Sequence, residues 1–159
     1  MKARRLLSLL AASLLCACAA DSGDTSSSQL TEVGTTADLM ARMIDPAADV
    51  YWGAGGVIVD AEGEHWQIPE TDEDWAALSN AAYTVAEGGN LLLLEGRAVD
   101  QGAWVTMSKQ LSEIALQALE AADARNLQAV FDMGAEMYYV CTNCHSVYSI
   151  GTLQPTDSN

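Results

Sequence analysis

Apolar residues recur at every third or fourth position in four stretches of the chain, which is the spacing that lines one face of a helix. These stretches run over residues 36–50, 75–92, 104–121 and 127–144. Pro46 interrupts the first stretch, but the apolar spacing keeps its phase across the proline, which favours one kinked helix. The predicted buried face of that helix is formed by Thr36, Met40, Met43, Ala47 and Val50. The alternative is that Asp45 and Pro46 begin a second helix as its cap and first residue.

The segments between these stretches define the predicted connections. Thr71 precedes three acidic residues, a pattern typical of a helix N-terminus. Residues 123–126 form a short turn, so the last two helices are expected to be antiparallel neighbours. Residues 53–67 do not follow the helical spacing and are predicted to form a small hairpin or an ordered loop. The sequence therefore predicts an all-α fold, an antiparallel up-down-up-down four-helix bundle with a hairpin-like insertion between helices 1 and 2.

The chain begins with a segment that has the layout of a secretory signal peptide. Three basic residues lie within positions 1–5, an apolar run covers 6–15, and small residues follow. The run is shorter than the roughly 20 residues that a membrane span needs. Leu15-Cys16-Ala17-Cys18 resembles a bacterial lipobox in which Cys18 receives the lipid, and cleavage after Ala19 is the alternative. Because no aspartate follows Cys18, resemblance to other lipoproteins implies a periplasmic protein anchored to the outer membrane.

These features divide the chain into four predicted parts. Residues 1–17 are a signal peptide of the lipoprotein type, and residues 18–34 are a flexible tether rich in small polar residues. Residues 35–150 form the folded domain, and residues 151–159 form a frayed C-terminal tail.

The net charge of the chain restricts the classes of molecule that it can bind. Of its 159 residues, 22 are acidic and seven are basic, which gives a formal net charge of −15. This balance excludes a nucleic-acid partner, because almost nothing is present to neutralise phosphates. It equally excludes docking on an anionic membrane surface, so the membrane is expected to be reached only through the lipid anchor.

The residues with the clearest chemistry lie at the end of the fourth helix, where residues 141–145 have the form C-x-x-C-H. This is the attachment signal for c-type haem, in which two cysteines add to the porphyrin vinyl groups as thioethers. Cys141 and Cys144 are three positions apart on a helix and project to the same side, and His145 follows where its imidazole can reach the iron. A thioredoxin-like pair would need a strand before the helix. A structural zinc site would need a fourth ligand besides Cys141, Cys144 and His145. The other histidine of the chain, His65, would have to supply it.

With this motif near the C-terminus of a predicted four-helix bundle, the chain resembles the cytochrome c-prime family. Gly134, seven residues before Cys141, and Tyr148, three residues after His145, are also similar to that family. The resemblance implies that Cys141 and Cys144 bind one haem c covalently and that His145 is the proximal iron ligand. Members of the family usually carry a basic residue just after the histidine, and this chain does not.

The expected function depends on which group, if any, binds the iron on the side opposite His145. In the resembling family the first helix covers the distal haem face, and low-spin members place a methionine there. Met40 is the preferred distal ligand, because a thioether suits haem iron and raises its potential when paired with histidine. Met43, His65 and an open five-coordinate iron are the alternatives.

These residues together predict an exported cytochrome that is not an enzyme and transfers single electrons with a redox partner protein. The alternative is a five-coordinate haem protein that binds nitric oxide or carbon monoxide. The sequence does not identify the redox partner, and it leaves a homodimer open as the oligomeric state.

Overall fold

A computed structural model describes residue 31 and residues 33–149 of the chain. The predicted signal peptide 1–17, the tail 151–159, Cys18 and nearly all of the tether 18–34 lie outside the described residues.

The described chain is mostly helical and contains one small two-stranded sheet. Three helical elements follow one another without a break: α1 (Thr36–Leu39), a π segment (Met40–Ile44) and α2 (Asp45–Gly53). The strands β1 (Val57–Asp60) and β2 (Gly63–Trp66) come next. Three long helices complete the fold: α3 (Asp72–Leu91), α4 (Ala103–Asp123) and α5 (Leu127–Tyr148). No helix within the described ranges is both long enough and apolar enough to cross a membrane.

The two strands form the predicted hairpin. They pair antiparallel, with Val57 opposite Trp66 and Asp60 opposite Gly63. The Asp60 carboxylate closes the turn, because its Oδ1 accepts hydrogen bonds from the backbone N–H groups of Glu62 and Gly63 at 3.0 and 3.2 Å.

The packing of the helices is consistent with a bundle. The most extensive packing is between α3 and α4, followed by α4 with α5 and α2 with α3. Thr71 is the N-cap of α3, as predicted, and its hydroxyl accepts from the backbone N–H of Asp74 in a capping box. The core is rich in alanine, which lets the helices approach closely.

The prediction of the buried face of the first helix is wrong, because a different set of residues along this helix is buried. Val50 is 49% exposed, and the buried residues are instead Leu39, Ile44, Ala48 and Tyr51. The cause is the π segment, in which the backbone N–H of Asp45 bonds the carbonyl of Met40, five residues earlier. Because this turn contains more residues than an α-helical turn, successive buried residues on it, Leu39 and Ile44, are five positions apart and not three or four. The buried face of the helix that follows is shifted accordingly. Pro46 sits in the first turn of α2, where a missing N–H costs little.

Gly89 is required where α3 meets α4. A Cβ atom at this position would lie 2.2 Å from the Ser112 hydroxyl oxygen and 2.7 Å from the Ser108 carbonyl oxygen. Gly89→Ala is therefore expected to lower the free energy of unfolding by about 1–3 kcal/mol, because backbone atoms must move. Urea unfolding measures this, with Tyr83→Ala on the exposed side of α3 expected within about 0.5 kcal/mol of wild type. A Gly89→Ala variant at least as stable as wild type would contradict the close approach.

Candidate functional site

The predicted site residues surround one cavity of about 230 Å³, here called the central cavity. It lies between the C-terminal half of α5, the π segment and α2, and the N-terminal half of α4. Its lining is mostly apolar and includes Met40, Ile44, Ala48, Trp52, Leu92, Met107, Ser108, Leu111, Tyr138, Cys141, Cys144 and His145.

Cys141 and Cys144 both face the central cavity, as their spacing on a helix predicts. Both are half-buried, and neither is part of a disulfide. Burial raises the pKa of the Cys141 thiol to about 11, and the nearby Asp45 carboxylate and Cys144 add to the effect. Burial also raises the pKa of Cys144. At neutral pH both side chains are therefore protonated thiols held on one wall of an apolar cavity.

His145 also lines the cavity, at the exposed end of α5. Its carbonyl accepts hydrogen bonds from the backbone N–H and the hydroxyl of Ser149, at 3.0 and 2.7 Å. The helix therefore stays closed by hydrogen bonds for one turn beyond the C-x-x-C-H motif.

A second set of contacts fixes this end of α5 to the start of α4. The Tyr148 hydroxyl donates a hydrogen bond to Oδ2 of Asp100. Oδ1 of Asp100 accepts from the backbone N–H groups of Gly102 and Trp104, at 2.7 and 3.1 Å. The rings of Trp104 and Tyr148 meet edge to face with centroids 4.9 Å apart. Since Tyr148 lies one turn after His145, this Asp100–Tyr148 clamp holds the helix turn that carries the histidine.

The clamp makes stability depend on pH at both ends of the scale. The hydrogen bond from Tyr148 is the main cause that lowers the pKa of Asp100, so this contribution is lost as pH falls through the folded-state pKa of Asp100. The same hydrogen bond raises the pKa of Tyr148, so the contribution is lost again as pH rises through that value. Tyr148→Phe is expected to lower stability near neutral pH and to differ less from wild type at acid and alkaline pH. Urea unfolding across pH measures this, with exposed Tyr139→Phe as control; a difference that does not vary with pH would contradict it.

The structure brings Met40 to the central cavity and leaves the two other candidate ligands away from it. Met40 is the first residue of the π segment and lines the cavity wall. Met43 is half-buried against the core but is not part of the lining. His65 lies on β2, where its Nε2 is 3.0 Å from Oδ1 of Asp60 in an exposed pair. Of the two methionines considered as ligands from the sequence, Met40 is thus the one that shares a cavity with Cys141, Cys144 and His145.

Two residues of α4 that the sequence analysis did not select also line the cavity. Met107 supplies a second thioether. Ser108 is 2% exposed, and its hydroxyl has no hydrogen-bond partner among the described residues. A helical serine often bonds the carbonyl four residues earlier, and a buried hydroxyl without a partner is costly. Met107 lies in the apolar spacing of α4, but nothing in that spacing distinguishes a core position from a cavity wall, and the polar Ser108 is not part of the spacing.

The lining of the central cavity contains the groups that a covalently held haem needs. Two thiols and an imidazole face one cavity, the remaining wall is largely apolar, and the Ser108 hydroxyl has an unmet hydrogen bond. These residues fit the group.

Within residues 33–149, no three histidine, cysteine or acidic side chains cluster in the manner of a metal-ion site. No protein-family model matches the chain, and no curated protein or solved structure is significantly similar to it.

Proposed function

We propose that this protein is an exported c-type cytochrome that carries one covalent haem and transfers single electrons. The observation that supports this most strongly is that Cys141, Cys144 and His145 line one apolar cavity together with Met40. Met40 is 101 positions before Cys141 and 105 positions before His145, so these residues are brought to one cavity by folding. Only the C-x-x-C-H motif is local in sequence.

We also propose that the helices form an up-down-up-down four-helix bundle, with residues 36–53 as the first helix. Ser79 near the start of α3 bonds Asp123 at the end of α4, at 2.7 Å. Conversely, the indole of Trp104 at the start of α4 donates to the carbonyl of Leu92 just after α3, at 2.8 Å. Both contacts are those expected of antiparallel neighbours.

In this proposal each residue has a distinct task. Cys141 and Cys144 would hold the haem through thioether bonds, and His145 would be its proximal iron ligand. Met40, which the π segment positions on the lining of the same cavity, would be the distal ligand. The haem, when bound, would supply a one-electron ferric–ferrous couple. With His145 and Met40 both as ligands, the ligand set would stay the same in the two oxidation states, which would favour rapid electron exchange.

Binding of nitric oxide or carbon monoxide at an open iron is the second candidate function. The observation that favours it is the buried Ser108 hydroxyl, which lines the cavity without a partner and could donate a hydrogen bond to a small bound ligand. Met40 favours the electron carrier, since a thioether on the same cavity would close the iron.

Optical spectra of both oxidation states, with and without carbon monoxide, distinguish the two functions. The electron carrier is expected to be low-spin in both states and slow to bind carbon monoxide. A high-spin protein that binds carbon monoxide at once would contradict electron transfer through a closed site and favour the gas-binding function. A colourless protein would contradict both.

We further propose that the protein is held at the periplasmic face of the outer membrane by a lipid on Cys18. The basis is the lipobox-like Leu15-Cys16-Ala17-Cys18 and the polar tether that follows it. Mass spectrometry of the mature N-terminus is expected to find a lipidated Cys18 as the first residue. An unmodified chain beginning at Ala20 would contradict the anchor and indicate a periplasmic cytochrome without lipid.

A further inference from the structure

We propose that an exposed groove between α2 and α5 is the docking surface for the redox partner. We infer that this partner is a protein whose contact face has an apolar centre and a rim of lysine or arginine. The groove, here called the aromatic groove, encloses about 310 Å³ and is bordered by Trp52, Phe131, Tyr138 and Tyr139. This inference rests on the proposed electron-transfer function and adds to it the place and the chemistry of the partner.

The aromatic groove shares a wall with the central cavity. Trp52 and Tyr138 line both, so these two side chains are common to the groove and to the cavity that the two thiols line. The Trp52 indole is fixed against α5, because its Nε1–H donates to the carbonyl of Gly134 at 2.9 Å. The ring centroids of Trp52 and Tyr138 are 6.2 Å apart, and those of Tyr138 and Tyr139 are 6.3 Å apart. Since electron exchange slows steeply with distance, a partner seated here would be well placed.

Three large aromatic side chains that border the aromatic groove are exposed to solvent. Phe131, Tyr138 and Tyr139 are 56%, 58% and 61% exposed, and all three lie on α5. A contiguous exposed patch of this kind marks an interaction site more often than isolated apolar residues do. Aromatic residues are also enriched at the centres of protein interfaces. Electron-transfer complexes are short-lived and lie at the small end of interface sizes, below about 1,200 Å² in total.

The charges beside the groove select the partner. Three exposed carboxylates lie close in sequence to residues that line it: Asp49 is two positions before Tyr51, Asp132 directly follows Phe131, and Glu136 directly follows Ala135. Neither α2 nor α5 contains a lysine or an arginine. A basic rim would therefore be attracted to this surface, which raises the rate of encounter. In a two-fold interface with a second copy, the same acidic residues would face one another, so a basic partner fits the groove better.

The electron balance of the exchange is simple. One electron passes between the haem of this chain and the one-electron centre of the partner, so one is oxidised as the other is reduced. No bond forms or breaks, and no proton is transferred.

Electron exchange of the haem-loaded protein with mitochondrial cytochrome c, a basic one-electron protein, tests the inference by stopped-flow spectroscopy at low ionic strength. Tyr139→Ser, and separately Asp132→Asn combined with Glu136→Gln, are expected to slow the second-order rate about tenfold, which corresponds to ~1.4 kcal/mol. The matched controls are Tyr83→Ser, at a tyrosine 55% exposed on α3, and Glu113→Gln combined with Glu120→Gln on α4. These controls are expected to stay within about twofold of wild type, well inside that tenfold step.

Ferricyanide, a small acceptor that needs no docking surface, separates the possible failures. Groove variants that react with ferricyanide, a trianion, at least as fast as wild type but slowly with cytochrome c would support the inference. Equal cytochrome c rates in groove and control variants, or a dimer in sedimentation that Tyr139→Ser dissociates, would overturn it and leave the proposed function intact. A wild-type protein that exchanges electrons with neither reagent would overturn both.

Discussion

Replacing both Cys141 and Cys144 by alanine is expected to abolish covalent haem. Thioether bonds survive extraction with acidified acetone, whereas haem held only by coordination and packing is removed. The wild-type protein should therefore keep its colour through extraction and the double variant should lose it completely. Each single variant is expected to lose most of its holoprotein, because one bond holds the group less securely during attachment. His145→Ala is expected to retain little stable haem, since the proximal ligand is removed.

The matched control for these variants is Asn143→Ala. Asn143 is exposed, lies between the two cysteines on the same turn of α5, and is not among the residues that line the central cavity. It should keep covalent haem at the wild-type level. A double cysteine variant that still holds colour after extraction would show that the two thiols are not the attachment points.

Replacing Met40 by alanine is expected to open the iron. The oxidised wild-type protein should show the weak far-red band of sulfur bound to ferric iron, and Met40→Ala should lack it. The potential should fall, because a thioether opposite histidine raises it. Carbon monoxide should bind the reduced variant at least about tenfold faster, which corresponds to a barrier lower by ~1.4 kcal/mol. Stopped-flow absorbance and potentiometry measure these changes.

Two other methionines provide the controls. Met43→Ala should keep the band and lose packing alone, roughly 1–2 kcal/mol for this half-buried residue against the ~2–5 kcal/mol of a fully buried one. Met107→Ala changes a thioether on the same cavity but from α4, and it should also keep the band. Loss of the band in Met107→Ala with its retention in Met40→Ala would assign the iron ligand to α4.

The parts of the fold that depend on local sequence could be predicted. Thr71 and the residues after it specify the start of α3, and the short turn at 123–126 separates α4 from α5. The apolar spacing of these three stretches, 75–92, 104–121 and 127–144, is regular, and each of them coincides with one of the three long helices to within a few residues. The convergence of Cys141 with Cys144 on one wall follows from their spacing on a helix.

The first helix could not be predicted as well, because the apolar spacing assumes 3.6 residues per turn. The π segment changes that number locally, so Ile44, and not Met43 or Val50, is buried. The sequence favoured one kinked helix across Pro46, but the alternative, a second helix that begins at Asp45 and Pro46, is closer to the structure. There α2 starts at Asp45 directly after the π segment, with Pro46 in its first turn.

Features that join distant parts of the chain were also missed. Asp100 and Tyr148 are 48 residues apart, and neither has a local pattern that indicates a hydrogen bond between them. Ser108 lines the central cavity because α4 meets the first helical elements and α5 there. The pattern of residues along one helix carries no information about such contacts between helices.

The mass of the denatured protein shows directly whether the haem is covalently bound to this chain. The full chain should be produced in a bacterial host that exports it and attaches c-type haem, then purified and unfolded in acid before electrospray mass spectrometry. We expect a polypeptide whose mass exceeds that of the mature chain, with any lipid, by one haem. A denatured polypeptide without that added mass, from cells that attach haem to a known c-type cytochrome, would contradict it.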